Sequence, residues 1–118
     1  MKEEKFKVIQ FTKEFIIDIE KELENFPKKD LEIKIKIRNN CFEVLEILYE
    51  VNTVIGENRL KKDLLEKAIA KIKLIDFLIN LSYDRKLISS KKYLRFGEKI
   101  DNIIKYIVGW IKSFKNIE

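Results

Sequence analysis

Glu43, Glu46 and Glu50 recur at three- and four-residue steps. That spacing sets three carboxylates on one helix face, as a carboxylate metal site requires. The chain has no histidine, so it lacks both the commonest general base and the Glu-x-x-His pattern of di-metal carboxylate bundles. The three glutamates therefore read as a solvated acidic face. Cys41 is the one cysteine and lies among apolar residues, which marks it as a small buried hydrophobe rather than a nucleophile. There is no phosphate loop, no GxGxxG and no Ser/His/Asp set. The expectation is a non-enzyme, with no catalytic residue, no metal and no cofactor.

What remains is basic chemistry. "RLKK" supplies Arg59, Lys61 and Lys62, and "DRKLISSKKYLR" supplies Arg85, Lys86, Lys91, Lys92 and Arg95, flanked by Tyr83 and Tyr93. Cations interleaved with aromatics can hold phosphates and stack bases. Basic residues also favour helix C-termini, where they meet the negative end of the dipole. The net charge of +5 is uneven: residues 1–25 carry five Lys against seven acids, while residues 87–118 carry seven cations against three acids. A basic half attracts nucleic acid or an acidic protein.

These residues need elements to position them. At 118 residues, with 46% hydrophobic and 38% charged residues but only three Gly and one Pro, the chain suits a single domain of long helices. A lone cysteine forms no internal disulfide. "MKEEKFKVIQF" has no uncharged apolar core of a signal peptide, and no uncharged apolar run approaches the ~20 residues that span a bilayer. A cytoplasmic protein is expected.

Apolar periodicity predicts four helices, about 5–25, 30–55, 58–86 and 90–115. Val8, Phe11, Phe15, Ile16, Ile19, Leu23 and Phe26 form the first stripe. "FPKKD" ends that helix, because the residue before Pro27 is pushed out of the helical region, and Asp30 is the expected N-cap of the next. Leu60, Leu64, Ala68, Ile72, Ile75 and Ile79 form the third stripe, after a break at "IGEN" in which Gly56 suits a helix end and Asn58 a cap. Leu94, Ile100, Ile103, Ile104, Ile107, Ile111 and Phe114 form the fourth, capped by Ser89 or Ser90. Similar lengths and short connections predict an all-α, antiparallel up-and-down four-helix bundle.

The second helix is the ambiguous one. "DLEIKIKI" alternates apolar and charged residues like a half-buried strand, but continuing that phase meets Asn39 and Glu43. On a helix, Leu31, Ile35, Phe42, Leu45 and Tyr49 make one apolar stripe. Ile33, Ile37, Cys41, Val44, Leu48, Val51 and Ile55 make a second beside it. Together they span about 200° of arc, against the ~100° that packing on one neighbour needs. Contact with two neighbours or an oligomer interface would explain the excess. Lys34 and Arg38 fall inside this apolar arc. Either their stems cover the core while their charges reach water, or they edge a subunit interface or a basic channel.

"FPKKD", "FEVLEILYE" (42–50), "LLEKAIAKIKLIDFLINLSYDRKLISSKKY" (64–93) and "GWIKS" (109–113), in this order, resemble the accessory variability determinant (Avd) proteins of diversity-generating retroelements. The resemblance covers about residues 20–113. The wider group includes four-helix-bundle proteins encoded in bacterial 23S rRNA intervening sequences. The chain has Ile104 and Val108 where relatives often have glycine, and "YEVNTVIGEN" where the rRNA-associated branch often has an Asn-Ile-Ala-Glu-Gly-like stretch. The resemblance implies a non-enzymatic, ring-like homopentamer that partners a reverse transcriptase and binds nucleic acid during mutagenic copying of a template RNA. On that reading Arg59, Lys61, Lys62, Arg85, Lys86, Lys91, Lys92 and Arg95 supply phosphate contacts with little base readout. The alternative is an rRNA-associated structural oligomer whose charge confers solubility.

Overall fold

The computed structural model describes residues 2–54 and 56–114, and of residues 2–4 and 6 only the backbone. Four helices account for nearly all of it: α1 (Lys2–Leu23), α2 (Leu31–Thr53), α3 (Asn58–Asp84) and α4 (Ser90–Lys112). The alternating stretch is helical throughout, and there is no strand among the described residues. α4 ends at Lys112, short of the predicted bound, with Ser113 and Phe114 already out of the helix; Ile55 and residue 115 lie outside the described residues.

The helices form a square. Each packs on two neighbours, α1 on α2 and α4, α3 on α2 and α4, and the diagonal backbones do not approach each other. The direction of each helix follows from contact register. Asp30 at the start of α2 meets Arg85 past the end of α3, while Glu43 meets Lys71 further back along α3. Glu22 near the end of α1 meets Lys92 near the start of α4, and Asp18 meets Lys99. Neighbours therefore run antiparallel, in a bundle of 47 × 23 × 22 Å.

The core is a set of seams with alternating three- and four-residue steps. Leu65, Ala68, Ile72, Ile75, Ile79 and Ser82 are buried on α3, and Phe96, Ile100, Ile103, Ile107 and Trp110 on α4. On α2 the second predicted stripe is buried from Ile33 to Val51. Phe15 of α1 meets Phe96 edge-on at 5.8 Å, a favourable geometry for aromatic quadrupoles. Two predicted core residues face solvent instead, Leu60 and Leu94, the latter 64% exposed. Both lie off the phase of the buried residues of their own helices, which runs through Leu65, Ala68 and Ile72 on α3 and through Phe96, Ile100 and Ile103 on α4.

The helix ends also differ from expectation in part. Ser89 caps α4 as predicted, its side chain accepting from the Lys92 backbone N–H. Asp30 occupies the N-cap position of α2, but its side chain makes no capping bond. Asn58 is the first residue of α3 rather than its cap, and Glu57 in the N-cap position makes no side-chain bond. Gly56 has φ +126°, a backbone conformation that L side chains rarely adopt. At the end of α3, Lys86 N–H bonds to the Tyr83 carbonyl and Leu87 N–H to the Ser82 carbonyl. The Leu87 bond is the 6→1 bond of a Schellman motif, with Lys86 at φ 64° where glycine is usual.

Candidate nucleic-acid interface

The predicted basic residues fall at opposite ends of the bundle. Arg59, Lys61 and Lys62 open α3, whereas Arg85 and Lys86 follow its end and Lys91, Lys92 and Arg95 open α4. The length of α3 separates the two groups by about 39 Å. They are two surfaces rather than one patch.

The second group gains members that sequence spacing does not place with it. The α1–α2 connection is a single 3-10 turn, Lys28–Asp30, and the Asp30 carboxylate accepts from Arg85 Nη1 at 3.0 Å. That contact ties the connection to the α3–α4 turn and brings the exposed Lys28 and Lys29 to the same end. The available signal was topological: in an antiparallel four-helix bundle the first and third connections share an end.

Not every cation at this end is equally available. Arg85 is held by Asp30, and Lys92 bonds the Glu22 carboxylate of α1. Lys86, Lys91 and Arg95 are exposed and have no ion pair among the described residues. At the far end Lys62 pairs with Glu66 at 3.8 Å, one helical turn away, and Arg59 is exposed. Tyr83 and Tyr93 do not stand apart as two stacking platforms. Their rings stack on each other, centroids 4.3 Å apart and planes 7° from parallel, and the Tyr93 hydroxyl donates to Asn80 Oδ1.

Lys34 and Arg38 part company. Arg38 grips Glu20 of α1 through two bonds, Nε to Oε1 at 2.6 Å and Nη2 to Oε2 at 3.3 Å. That carboxylate raises the guanidinium's already high pKa. Lys34 is half-buried with no ion pair among the described residues. The aliphatic stem of Arg38 thus covers the α1–α2 seam while its charge is neutralised by a neighbour.

Part of the charge asymmetry seen along the chain is consumed inside the fold. α1 is the acidic helix, and Asp18, Glu20 and Glu22 each receive a cation from α4 or α2. The Lys99 ammonium, hydrogen-bonded to Asp18, lowers that carboxyl's pKa below its ordinary value. The Lys71 ammonium does the same for Glu43. Glu43 is therefore an ion-pair partner rather than one third of a metal site, and no group of three ligating residues able to hold a metal is present among the described residues. Cys41 is buried, and burial pushes its thiol up to about 12.

No protein-family model matches the chain, and neither a curated protein nor a solved structure matches it. No helix among the described residues is long and apolar enough to cross a membrane.

Proposed function

We propose that this chain is a non-catalytic, nucleic-acid-binding adaptor that partners a reverse transcriptase and self-associates, in the manner of the Avd proteins. The observation that carries the nucleic-acid part is the convergence of Lys28, Lys29, Arg85, Lys86, Lys91, Lys92 and Arg95, from two separate connections, on one end of the bundle. The reverse-transcriptase part is supported by the sequence resemblance. With the two tyrosines stacked on each other, binding rests on phosphate neutralisation, which is indifferent to base sequence and steeply weakened by salt. Arg59, Lys61 and Lys62 form a lesser, separate contact.

The test is fluorescence polarisation of nuclease-treated protein with single-stranded RNA over a salt series. Lys86→Glu, Lys91→Glu and Arg95→Glu in combination leave every described ion pair of this end intact. The combination is expected to abolish binding while helicity and assembly persist. Absence of RNA affinity in the unsubstituted protein at low salt overturns the reading.

The second reading is a structural, rRNA-associated oligomer. It is favoured by the cations already paired within the fold, Arg38, Lys71, Arg85, Lys92 and Lys99. It predicts that the triple substitution changes neither RNA binding nor assembly.

A further inference from the structure

The two connections at the basic end lie on opposite edges of the helix square, α1–α2 on one edge and α3–α4 on the other. Their cations therefore form two rows. Lys28 and Lys29 make the first, and Lys86, Lys91 and Arg95 the second. All five are exposed and have no ion pair among the described residues. Packed helix axes stand ~8–10 Å apart, which sets the spacing of the rows. The Asp30–Arg85 bond crosses from one row to the other and ties them together. Glu24 and Asp84 are the exposed carboxylates of the same connections, two against five, so the end stays cationic.

The aromatic side chains of this end are already engaged. Tyr83 and Tyr93 cover each other's inner faces, and Tyr93 is half-buried with its hydroxyl held by Asn80. Phe77, the next exposed aromatic back along α3, stands about two turns from the helix end. Proteins that hold single strands without regard to sequence combine a cationic groove with aromatic faces on which successive bases stack. This end offers the cations, but only the outer face of Tyr83 for stacking.

From this we infer that the basic end takes double-helical nucleic acid in preference to single strands, with each row of cations meeting one of the two phosphate backbones that border a groove. The inference rests on the adaptor reading above and specifies the form of the nucleic acid. The grooves of a duplex are ~6 Å and ~12 Å wide, which brackets the spacing of the rows. The bundle is 23 × 22 Å in cross-section, and along ~22 Å a duplex presents about thirteen phosphate charges against about six for one of its strands. A single strand must also bend across from one row to the other. Each phosphate contact releases about 0.9 counterion from duplex DNA and about 0.7 from a single strand. Over five contacts the difference is about one unit of salt slope, or about tenfold in affinity at about 0.1 M salt. With so little aromatic surface free, stacking does not make up that difference for the single strand. Phosphate neutralisation does not read the sugar, so RNA and DNA duplexes share this chemistry.

Fluorescence polarisation over a salt series tests this with three probes of equal length: an RNA duplex, a DNA duplex and one unstructured RNA strand. Both duplexes are expected to bind about tenfold tighter than the strand at about 0.1 M salt, and within about threefold of each other. Lys28→Gln with Lys29→Gln removes one row and is expected to lower duplex affinity more than strand affinity. Tyr83→Leu is expected to leave strand affinity unchanged. All three positions are exposed, so both variants are expected to keep the helicity of the parent protein by circular dichroism. Equal or tighter binding of the strand by the parent protein overturns the inference. So does loss of strand affinity with Tyr83→Leu, an equal effect of the paired lysine substitution on strand and duplex, or a DNA duplex that fails to bind where the RNA duplex binds. In each of those cases a probe is bound and the adaptor reading stands; a parent protein that binds none of the three overturns both.

Discussion

Thr12 shows how little polarity the core tolerates. It is buried, and its hydroxyl has no hydrogen-bond partner. It lines a small interior cavity with Phe15, Cys41 and Ile72. An unpartnered buried hydroxyl costs on the order of 1 kcal/mol or more, so Thr12→Val is expected to stabilise the protein by about 1 kcal/mol, read as a higher urea midpoint at unchanged slope. Asp30 is the other buried group in this position: one carboxylate oxygen takes Arg85 and the other has no partner. A carboxylate that spacing assigns to a helix cap instead fastens two connections together. Its residue type fits both roles, and only the approach of the α3–α4 turn decides between them.

At the scale of elements, the α3–α4 turn holds Lys86 in the left-handed region. For a residue with a Cβ this costs ~1–2 kcal/mol, offset in part by the greater freedom glycine would bring to the unfolded chain. Lys86→Gly is therefore expected to raise stability by about 1 kcal/mol while weakening RNA binding and reducing the slope of log affinity on log salt by about one. Opposite signs in the two measurements distinguish a lysine kept for its charge from one kept for the turn.

Two carboxylates on diagonally opposed helices, Asp18 on α1 and Asp76 on α3, have opposite pH signatures. Asp18 is held below its ordinary 3.8, first by its hydrogen bond to Lys99. Its stabilising contribution is present at neutral pH and is lost as pH falls through the lowered value. Asp76 is raised by burial and by the nearby Asp101, so it opposes folding at neutral pH and that penalty is relieved on acidification. At pH 7 Asp18→Asn is expected to destabilise and Asp76→Asn to stabilise, each by less than about 1 kcal/mol after solvent screening. Thermal melts of the two variants should converge at a pH below both groups' titration.

The periodicity that places the helices also contains the seams, and the misses are instructive. Leu60 and Leu94 were expected in the core; Leu65, Phe96 and Trp110 occupy it. Extending the α4 stripe back four residues from Ile100 reaches Phe96, so a strict three–four rule finds it. Membership by apolarity alone admits Leu94, which lies outside that phase. On α2 such a rule finds two seams of equal quality, Ile33–Val51 and Leu31–Tyr49, and cannot rank them. Which one packs inside depends on where α1 and α3 sit.

For the whole molecule, the consequence of four antiparallel helices is that chain distance and spatial distance separate. Lys28 and Arg85 are brought to one end, while Arg59 and Arg85, on either side of α3, stand at opposite ends. Reversing Arg59, Lys61 and Lys62 to Glu is expected to lower RNA affinity less than the combined Lys86, Lys91 and Arg95 reversal and to leave most of the salt slope intact, as measured over the same salt series. Equal losses would mean that a ligand spans the full length of the bundle.

By itself the sequence determined the helical class, the number of helices, a serine cap at Ser89 or Ser90 and the absence of histidine chemistry. Each follows from local spacing or composition, which a linear reading contains. It also supplied Arg59, Lys61, Lys62, Arg85, Lys86, Lys91, Lys92 and Arg95 as candidates for the interface. Only the tertiary structure decided that these cations form two groups, that Lys28 and Lys29 join one of them, and that Arg38, Lys71, Arg85, Lys92 and Lys99 face carboxylates of other elements. It alone showed which α2 seam remains exposed. The reason is that ion pairing and burial depend on the rotation of each helix about its own axis and on its neighbours' positions, which the packing of all four helices fixes together.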